Sequence, residues 1–368
     1  MLDDCGNRIS WIYLLVCTQE THSEEIIMKC INTTDAVGHV LCHDITRIVK
    51  DVVKDTAFRK GHIVTEEDIP VLLSLGKDHL YVWEKDENTL HENEAAEILK
   101  NVCINEHMHP TDVKEGKIEL VADCDGLFQV DVPRLDAINE IEEVMIATRH
   151  TNTAVKKGDR LLGTRVIPLV IAKEKMERVK EAAGEKPLVS LTPFKPMKAG
   201  IVTTGNEVYY GRIKDTFTPV IIEKLAAYGI EVCGQILCDD NMERITDAIL
   251  KLKEEGADLI LCTGGMSVDP DDRTPGAIKN TGARIVSYGA PVLPGAMFLL
   301  AYFEDGTPVL GLPGCVMYAK ATIFDLVLPR IAAGVEITKK ELAHMGNGGF
   351  CLGCKPCHYP NCGFGKGI

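Results

Sequence analysis

From residue 199 onward the chain alternates short apolar runs with longer segments whose apolar residues recur at helical spacing, and few folds accommodate that alternation. Strands are predicted at 199–203, 232–237, 259–262 and 309–312, with helices at 218–228, 242–255 and 319–331. The strand at 259–262, Leu-Ile-Leu-Cys, is apolar at every position, as expected of a strand covered on both faces. The expected fold class is therefore α/β, a C-terminal mainly parallel sheet with helices on both faces.

In an open parallel sheet, ligands lie outside the carboxyl ends of the strands, so function is sought in the residues that follow each strand. Three such places are rich in glycine: Thr204-Gly205-Asn206-Glu207, Gly264-Gly265-Met266-Ser267 and Gly311-Leu312-Pro313-Gly314. Glycine lets backbone N–H groups approach an anion closely. One such turn is usually conformational, but three on one sheet edge point to a phosphate or similar head group. Arg273 and Lys320 are the nearest cationic supplements, although each is about equally well read as a solvated side chain.

Carboxylates gather at the same ends: Glu207, Asp215, Asp239, Asp240, Asp269, Asp271 and Asp272. Asp240 or Asn241 suits the N-cap of the helix from Met242. Asp272 follows the Gly-Gly loop at a reach that suits the paired N–H donors of a pterin or purine edge. Asp215 and Glu207 suit a divalent cation such as Mg²⁺, which takes one or two carboxylates plus water.

The rest of the chain reads as four segments. Residues 1–27 form an unassigned arm, either outside the native start or disordered, and 28–110 an α+β region. In that region a helix is expected after Thr65 as N-cap, and an amphipathic helix over 90–105 with Ala95, Ile98, Leu99 and Val102 on one face. Residues 111–185 form a β-rich module with strands at 117–122, 126–132 and 166–171, closed by a helix at 172–183. A polar, Pro-bearing linker at 184–196 precedes the α/β domain, placed at 196–340.

A formal net charge of −14 argues against a nucleic-acid partner, since phosphate-backbone affinity needs clustered Lys and Arg. The apolar stretch 11–17 is too short to span a membrane and lacks the flanks of a signal peptide. Fourteen cysteines in such a chain point to a reducing compartment, the cytoplasm by default.

Taken in order, Thr204-Gly205-Asn206-Glu207, Gly211 to Thr216 (GRIKDT), Asp239-Asp240, GGMSVDPDDRTP from Gly264, Leu293-Pro294-Gly295 and GLPG from Gly311 resemble the molybdopterin-binding domain of the molybdopterin molybdenumtransferase family over roughly 198–332. The resemblance implies molybdopterin, or its adenylylated form, as ligand. It further implies molybdate and Mg²⁺ as participants, AMP released as metal enters the dithiolene, and a homodimer. Carried onto this sequence, the ligand-binding residues are Thr204, Gly205, Asn206, Gly264, Gly265, Ser267, Pro294, Gly295, Pro313, Gly314 and Lys320; the catalytic carboxylates are Asp215, Asp272 and Glu207. The chain departs from the family pattern at Asp269, Phe217, Met297, Cys315 and Val316, and lacks the Ser-Ala-Met-Asp-Gly-Tyr-Ala phrase of the first domain. Asp44, Arg59 and Lys60 are the N-terminal residues suited to approach a ligand or to face solvent. A non-catalytic carrier that delivers cofactor to a client molybdenum enzyme is the alternative function, and a nucleotide-processing enzyme on the same domain a third.

The tail at 345–368 reads Cys351-x2-Cys354-x2-Cys357-His358-x3-Cys362. Four thiols within twelve residues reach one metal, as an iron–sulfur cluster or as Zn²⁺ with four thiolates or three and His358. Cys233, Cys238 and Cys262, in or at the ends of strands, are expected as small buried hydrophobes.

Overall fold

A computed structural model describes residues 28–49, 53–83, 88–267, 269 and 272–367. The expected arm at 1–27 and Asp271 lie outside the described residues.

The chain divides into two compact units, the first reaching Glu92 and including Pro168–Met176, the second comprising Asn93–Ile167 and Glu177–Ile368. In the first unit, Met28–Asn32 pairs antiparallel with His79–Trp83, and Ile45–Val49 with Val53–Phe58. Ala36, Leu41, Ile45, Val64, Leu72 and Leu80 form its core. Thr65 does not cap a helix directly: its N–H and hydroxyl both donate to Asp68, and the helix begins at Asp68. A further strand pair joins Thr89–His91 to Val170–Ala172.

The second unit opens with the helix Glu92–Cys103, which buries Ala95, Ala96, Leu99 and Cys103. Two small antiparallel sheets follow. One orders Met108–Pro110, Ile118–Ala122, Arg160–Val166 and Val144–Thr148; the other places Gly126–Val130 between Thr153–Val155 and Val189–Pro193. The strand expected at 166–171 is two strands, ending at Val166 and resuming at Val170. The expected linker also contains a strand, because Val189 and Leu191 alternate inward and find a free edge at Gly126–Val130.

The C-terminal part is the expected α/β layer structure. Its strands are β1 (Met197–Thr204), β2 (Ile230–Cys238), β3 (Leu259–Thr263), β4 (Arg284–Tyr288), β5 (Leu299–Tyr302) and β6 (Pro308–Leu312), in the sheet order β2-β1-β3-β6-β5-β4. The first four strands in that order run parallel, and β5 runs antiparallel to both neighbours. Four helices cover the sheet: α1 (Phe217–Ala226), α2 (Met242–Glu254), α3 (Thr274–Asn280) and α4 (Ile323–Ala332).

The two-residue period of a strand divides the core between the faces. Ile201, Leu259 and Leu261 pack with Ile221 and Leu225 of α1 and Phe324, Val327 and Leu328 of α4. Val202, Ile260 and Cys262 pack on the other side with Ile245, Ile249 and Leu252 of α2 and Ile278 of α3. Helix α4 starts later than its helix-forming neighbours suggest. Thr322 and Asp325 form a reciprocal capping box, which fixes the first turn at Ile323. Asn241, not Asp240, caps α2 by accepting the Arg244 N–H. Among the described residues no helix is long and apolar enough to cross a membrane.

Candidate functional site

The loops after β1, β3 and β6 converge on one sheet edge. Thr204, the last residue of β1, donates its hydroxyl to the Thr263 carbonyl at the end of β3 (3.0 Å) and lies 3.3 Å from the Thr274 hydroxyl. Thr274 in turn donates to the Gly264 carbonyl at 2.9 Å. Gly264 has φ +84°, and a Cβ there would overlap the Thr204 carbonyl oxygen, so only glycine fits this crossing. On the other side Met266 fills the space over Gly311 of β6, where a Cβ has no room. The second-strand loop joins the same edge: the Asn206 N–H donates to Asp240 at 3.0 Å, which explains why Asp240 is not the helix cap. Gly295 packs on Ile323 at the start of α4, and the Ile323 N–H donates to the Pro294 carbonyl at 3.2 Å.

Burial divides the expected ligand residues into two sets. Thr204, Gly205, Gly295 and Pro313 are buried and shape the loops from beneath. Glu207, Ser267, Gly314 and Lys320 are exposed or half-buried at the surface, and Asn206, Gly264, Gly265 and Pro294 are also only partly covered. The Glu207 carboxylate folds back over Gly205. The Lys320 carbonyl accepts a hydrogen bond from Lys224 at 3.1 Å.

The carboxylates differ in their partners. Asp215 accepts the Phe217 and Thr218 N–H groups on Oδ1 (2.9 and 3.1 Å) and the Gln235 amide on Oδ2 (2.9 Å). Burial pushes its pKa up, but hydrogen bonds from Thr218, Phe217 and Gln235 outweigh this and hold it below the ordinary aspartate value. Asp272 turns toward its own loop, accepting the Asp269 N–H at 2.9 Å. Asp239 pairs with Arg244 at 2.8 Å through Oδ2, while its buried Oδ1 has no hydrogen-bond donor among the described residues.

Three contributors escaped the sequence reading. Thr274 pins the Gly-Gly loop, and Tyr288 donates its hydroxyl to the Met266 and Ser267 carbonyls (3.0 and 3.2 Å). Gln235 holds Asp215 from twenty residues away along the chain. Thr274 stands in the phrase that opens at Gly264 but is not singled out by it, whereas Tyr288 and Gln235 belong to no glycine-rich phrase; for Gln235 the only sequence signal is a polar residue inside an alternating strand.

The tail cysteines are not gathered into one metal-binding group. Among the described residues no three His, Cys, Asp or Glu side chains are arranged to hold a metal ion. Cys351 and Cys362 pack against the α/β core, whereas Cys354 and Cys357 face solvent. Anchors set this division: the Cys351 N–H donates to the Leu293 carbonyl (2.8 Å), Tyr359 to the Asp325 carbonyl (3.0 Å), and Phe364 is buried. Cys238 and Cys262 are buried as expected; Cys233 is exposed, because β2 is an edge strand. In the N-terminal unit, Asp44 accepts the Lys60 N–H at 2.7 Å, a turn-forming contact. A groove of about 880 Å³ opens where the strands begin, away from the glycine loops; two ion pairs, Lys253–Asp305 and Arg284–Glu336, flank it.

The sheet edge thus gathers interlocked glycine loops and flanking carboxylates on an α/β domain. Residues 200–333 match the family described as "Probable molybdopterin binding domain". Residues 30–84 match a domain family of unknown function. A molybdopterin molybdenumtransferase from Synechococcus elongatus is 26% identical over 225 residues, covering 56% of this chain and 54% of that protein. The chain thus spans about half the length of that relative. A CinA-like protein from Mycobacterium avium is 38% identical over 77 residues, 21% of this chain and 18% of that protein. The molybdopterin biosynthesis enzyme MoaB from Thermus thermophilus aligns at 25% identity with a TM-score of 0.30, covering 38% of this chain and 97% of that one.

Proposed function

We propose that the α/β domain binds molybdopterin, or its adenylylated form, across the β1, β3 and β6 loops and takes part in inserting molybdenum from molybdate. The observation that carries this reading is the interlock of Thr204, Gly264 and Thr274, with Met266 seated on Gly311, which brings three glycine-rich backbones to one edge. Glycine-rich backbone lets N–H groups approach a terminal phosphate closely. Ser267 and Asn206 supply side-chain hydrogen bonds, and Asp272 accepts pterin N–H donors.

Mg²⁺ at this edge is part of the same proposal. Mg²⁺ needs one or two carboxylates and completes its shell with water and ligand oxygens. Among the described residues nothing donates to Asp239 Oδ1, and Asp215 and Glu207 lie on the adjoining loop. Bound there, Mg²⁺ would supply charge compensation for ligand phosphates, while the protein's carboxylates fix its place. A homodimer follows from the family resemblance and belongs to the same proposal.

Incubation of the full chain with adenylylated molybdopterin, molybdate and Mg²⁺, following AMP, tests the reading. Release of AMP that is lost in Asp272→Ala, with folding intact, is the expected result. Tight binding without AMP release would indicate a carrier, and no binding at all would overturn the assignment.

A further inference from the structure

Cys354 and Cys357 are both exposed, and the chain bends at the two residues between them, Lys355 and Pro356. A four-residue reversal brings its end Cα atoms within about 7 Å of each other. A disulfide spans Cα separations of about 4.4–6.8 Å, so two cysteines at the ends of such a reversal join with little movement of the rest of the chain. The segment is pinned on either side. Before it, the Cys351 N–H donates to the Leu293 carbonyl at 2.8 Å; after it, the Tyr359 hydroxyl donates to the Asp325 carbonyl at 3.0 Å and its ring meets Phe364 edge-on. Residues 352–358, between these anchors, are all exposed.

The other thiols lack one part or another of this arrangement. Cys351 also stands three residues from Cys354, but the chain does not bend at Leu352 or Gly353, and Cys351 packs against the α/β core, as does Cys362. Among the described residues the remaining exposed thiols are Cys30 and Cys233, and neither has another cysteine within four positions along the chain. Cys103 and Cys262 are buried, where a dissolved reagent does not reach them. Two outward thiols without the other pair leave a tetrahedral metal site half-built, yet two thiols are all that a disulfide needs.

We propose that Cys354 and Cys357 form a thiol–disulfide exchange site whose co-substrate is a small soluble disulfide, RS–SR. The thiolate of one cysteine attacks RS–SR, forming a mixed disulfide and releasing RS⁻, which takes up the proton that the thiol lost. The second cysteine attacks the protein sulfur of that mixed disulfide; the Cys354–Cys357 bond forms and a second RSH leaves. The protein gives up two electrons and two protons, RS–SR becomes two RSH, and excess RSH drives the exchange backwards. An exposed bond of this kind is the labile sort rather than a structural staple. The inference rests on the tail alone and stands apart from the molybdopterin reading.

The test uses the full chain, reduced with dithiothreitol, freed of it under nitrogen and incubated in its native state with glutathione disulfide. It is then unfolded, alkylated with iodoacetamide, digested and mapped by mass spectrometry. In the wild type the tail peptide is expected to be two hydrogens lighter and free of glutathione, with Cys351 and Cys362 alkylated and Cys354 and Cys357 not. Dithiothreitol is expected to restore alkylation of both. Cys354→Ser and Cys357→Ser are expected to keep the wild-type thermal midpoint and to retain one glutathione on the cysteine that remains, because its resolving partner is gone. A bond between Cys351 and Cys354, lasting glutathione on both wild-type thiols, or no reaction at all overturns the proposal. Zinc or iron that copurifies and shields all four tail thiols from iodoacetamide also overturns it, since those thiols would then be ligands.

Discussion

Replacing Gly264 by alanine probes the crossing on which the ligand edge depends. Gly264 holds φ +84°, in the left-handed region, where an L-residue costs about 1–2 kcal/mol. The new methyl would overlap the Thr204 carbonyl oxygen and stand 2.8 Å from Thr204 Oγ1 and 3.1 Å from the carbonyl carbon. Thr204 closes β1 and cannot retreat without stretching its pairing to Cys238, so relief of the overlap adds roughly 1–3 kcal/mol, as over-packing does elsewhere. The sum is about 2–5 kcal/mol, a large share of the ~5–15 kcal/mol that stabilises a typical domain. Gly211 supplies the control: φ is +68° but nothing lies within 4 Å of its would-be Cβ, so Gly211→Ala incurs the backbone cost alone. In urea denaturation Gly264→Ala is expected to lower the midpoint clearly more than Gly211→Ala, with the m-value unchanged, and to abolish molybdopterin binding. Equal midpoints for the two variants would refute the interlocked loops.

Further expectations follow from charge and burial. Glu341→Gln keeps the capping geometry at Thr338 but leaves the Arg330 guanidinium, 1% exposed, without its anionic partner, and a loss of about 1–3 kcal/mol in thermal unfolding is expected. Asp305 is lowered to about 2 by hydrogen bonds from Lys253 and Thr307, and Asp68, Asp125, Asp131 and Glu119 are also held below their ordinary values. Depressed folded pKa values contribute stability that is complete above the unfolded values near ~4 and lost as pH falls through the folded ones. Unfolding free energy is therefore expected to fall below about pH 4, with Asp305→Asn removing less than ~1 kcal/mol of it, since the pair is solvent-screened, and to begin a smaller decline below about pH 6.5, because burial holds His43 below the ordinary histidine value. Burial raises the Cys103 thiol to about 12 and raises Cys262 as well; Cys354 and Cys357 are exposed. Iodoacetamide followed by mass spectrometry should label the exposed pair in the native protein, and Cys103 and Cys262 only after unfolding.

The parallel part of the sheet was legible because β1, β3 and β6 are buried on both faces and carry unbroken apolar runs. Strands β4 and β5 were not: Leu299–Tyr302 is four residues long, and Arg284–Tyr288 buries only Val286. The strand at Val189–Pro193 was hidden by its flanking prolines, and its alternation acquires meaning only with its partner at Gly126–Val130. The start of α4 was misplaced because Ala319, Lys320 and Ala321 favour helix, while the Thr322–Asp325 box that decides the boundary is a local hydrogen-bond competition. At the ligand edge, the glycine loops were readable as phrases. Thr274 closes its own phrase onto Gly264, a hydrogen bond that depends on how the loop folds, while Tyr288 and Gln235 act through contacts between distant segments, which no window along the sequence contains.

Leu293 donates its N–H to the Gly349 carbonyl and accepts the Cys351 N–H, each at 2.8 Å, so a short parallel bridge links the loop before Pro294 to the C-terminal tail. A chain trimmed at Met345 would return both Leu293 peptide groups to water and unclamp the neighbouring proline and glycine. Residues 346–351 therefore act as a strut for the Pro294–Gly295 turn, and trimming them is expected to loosen that turn.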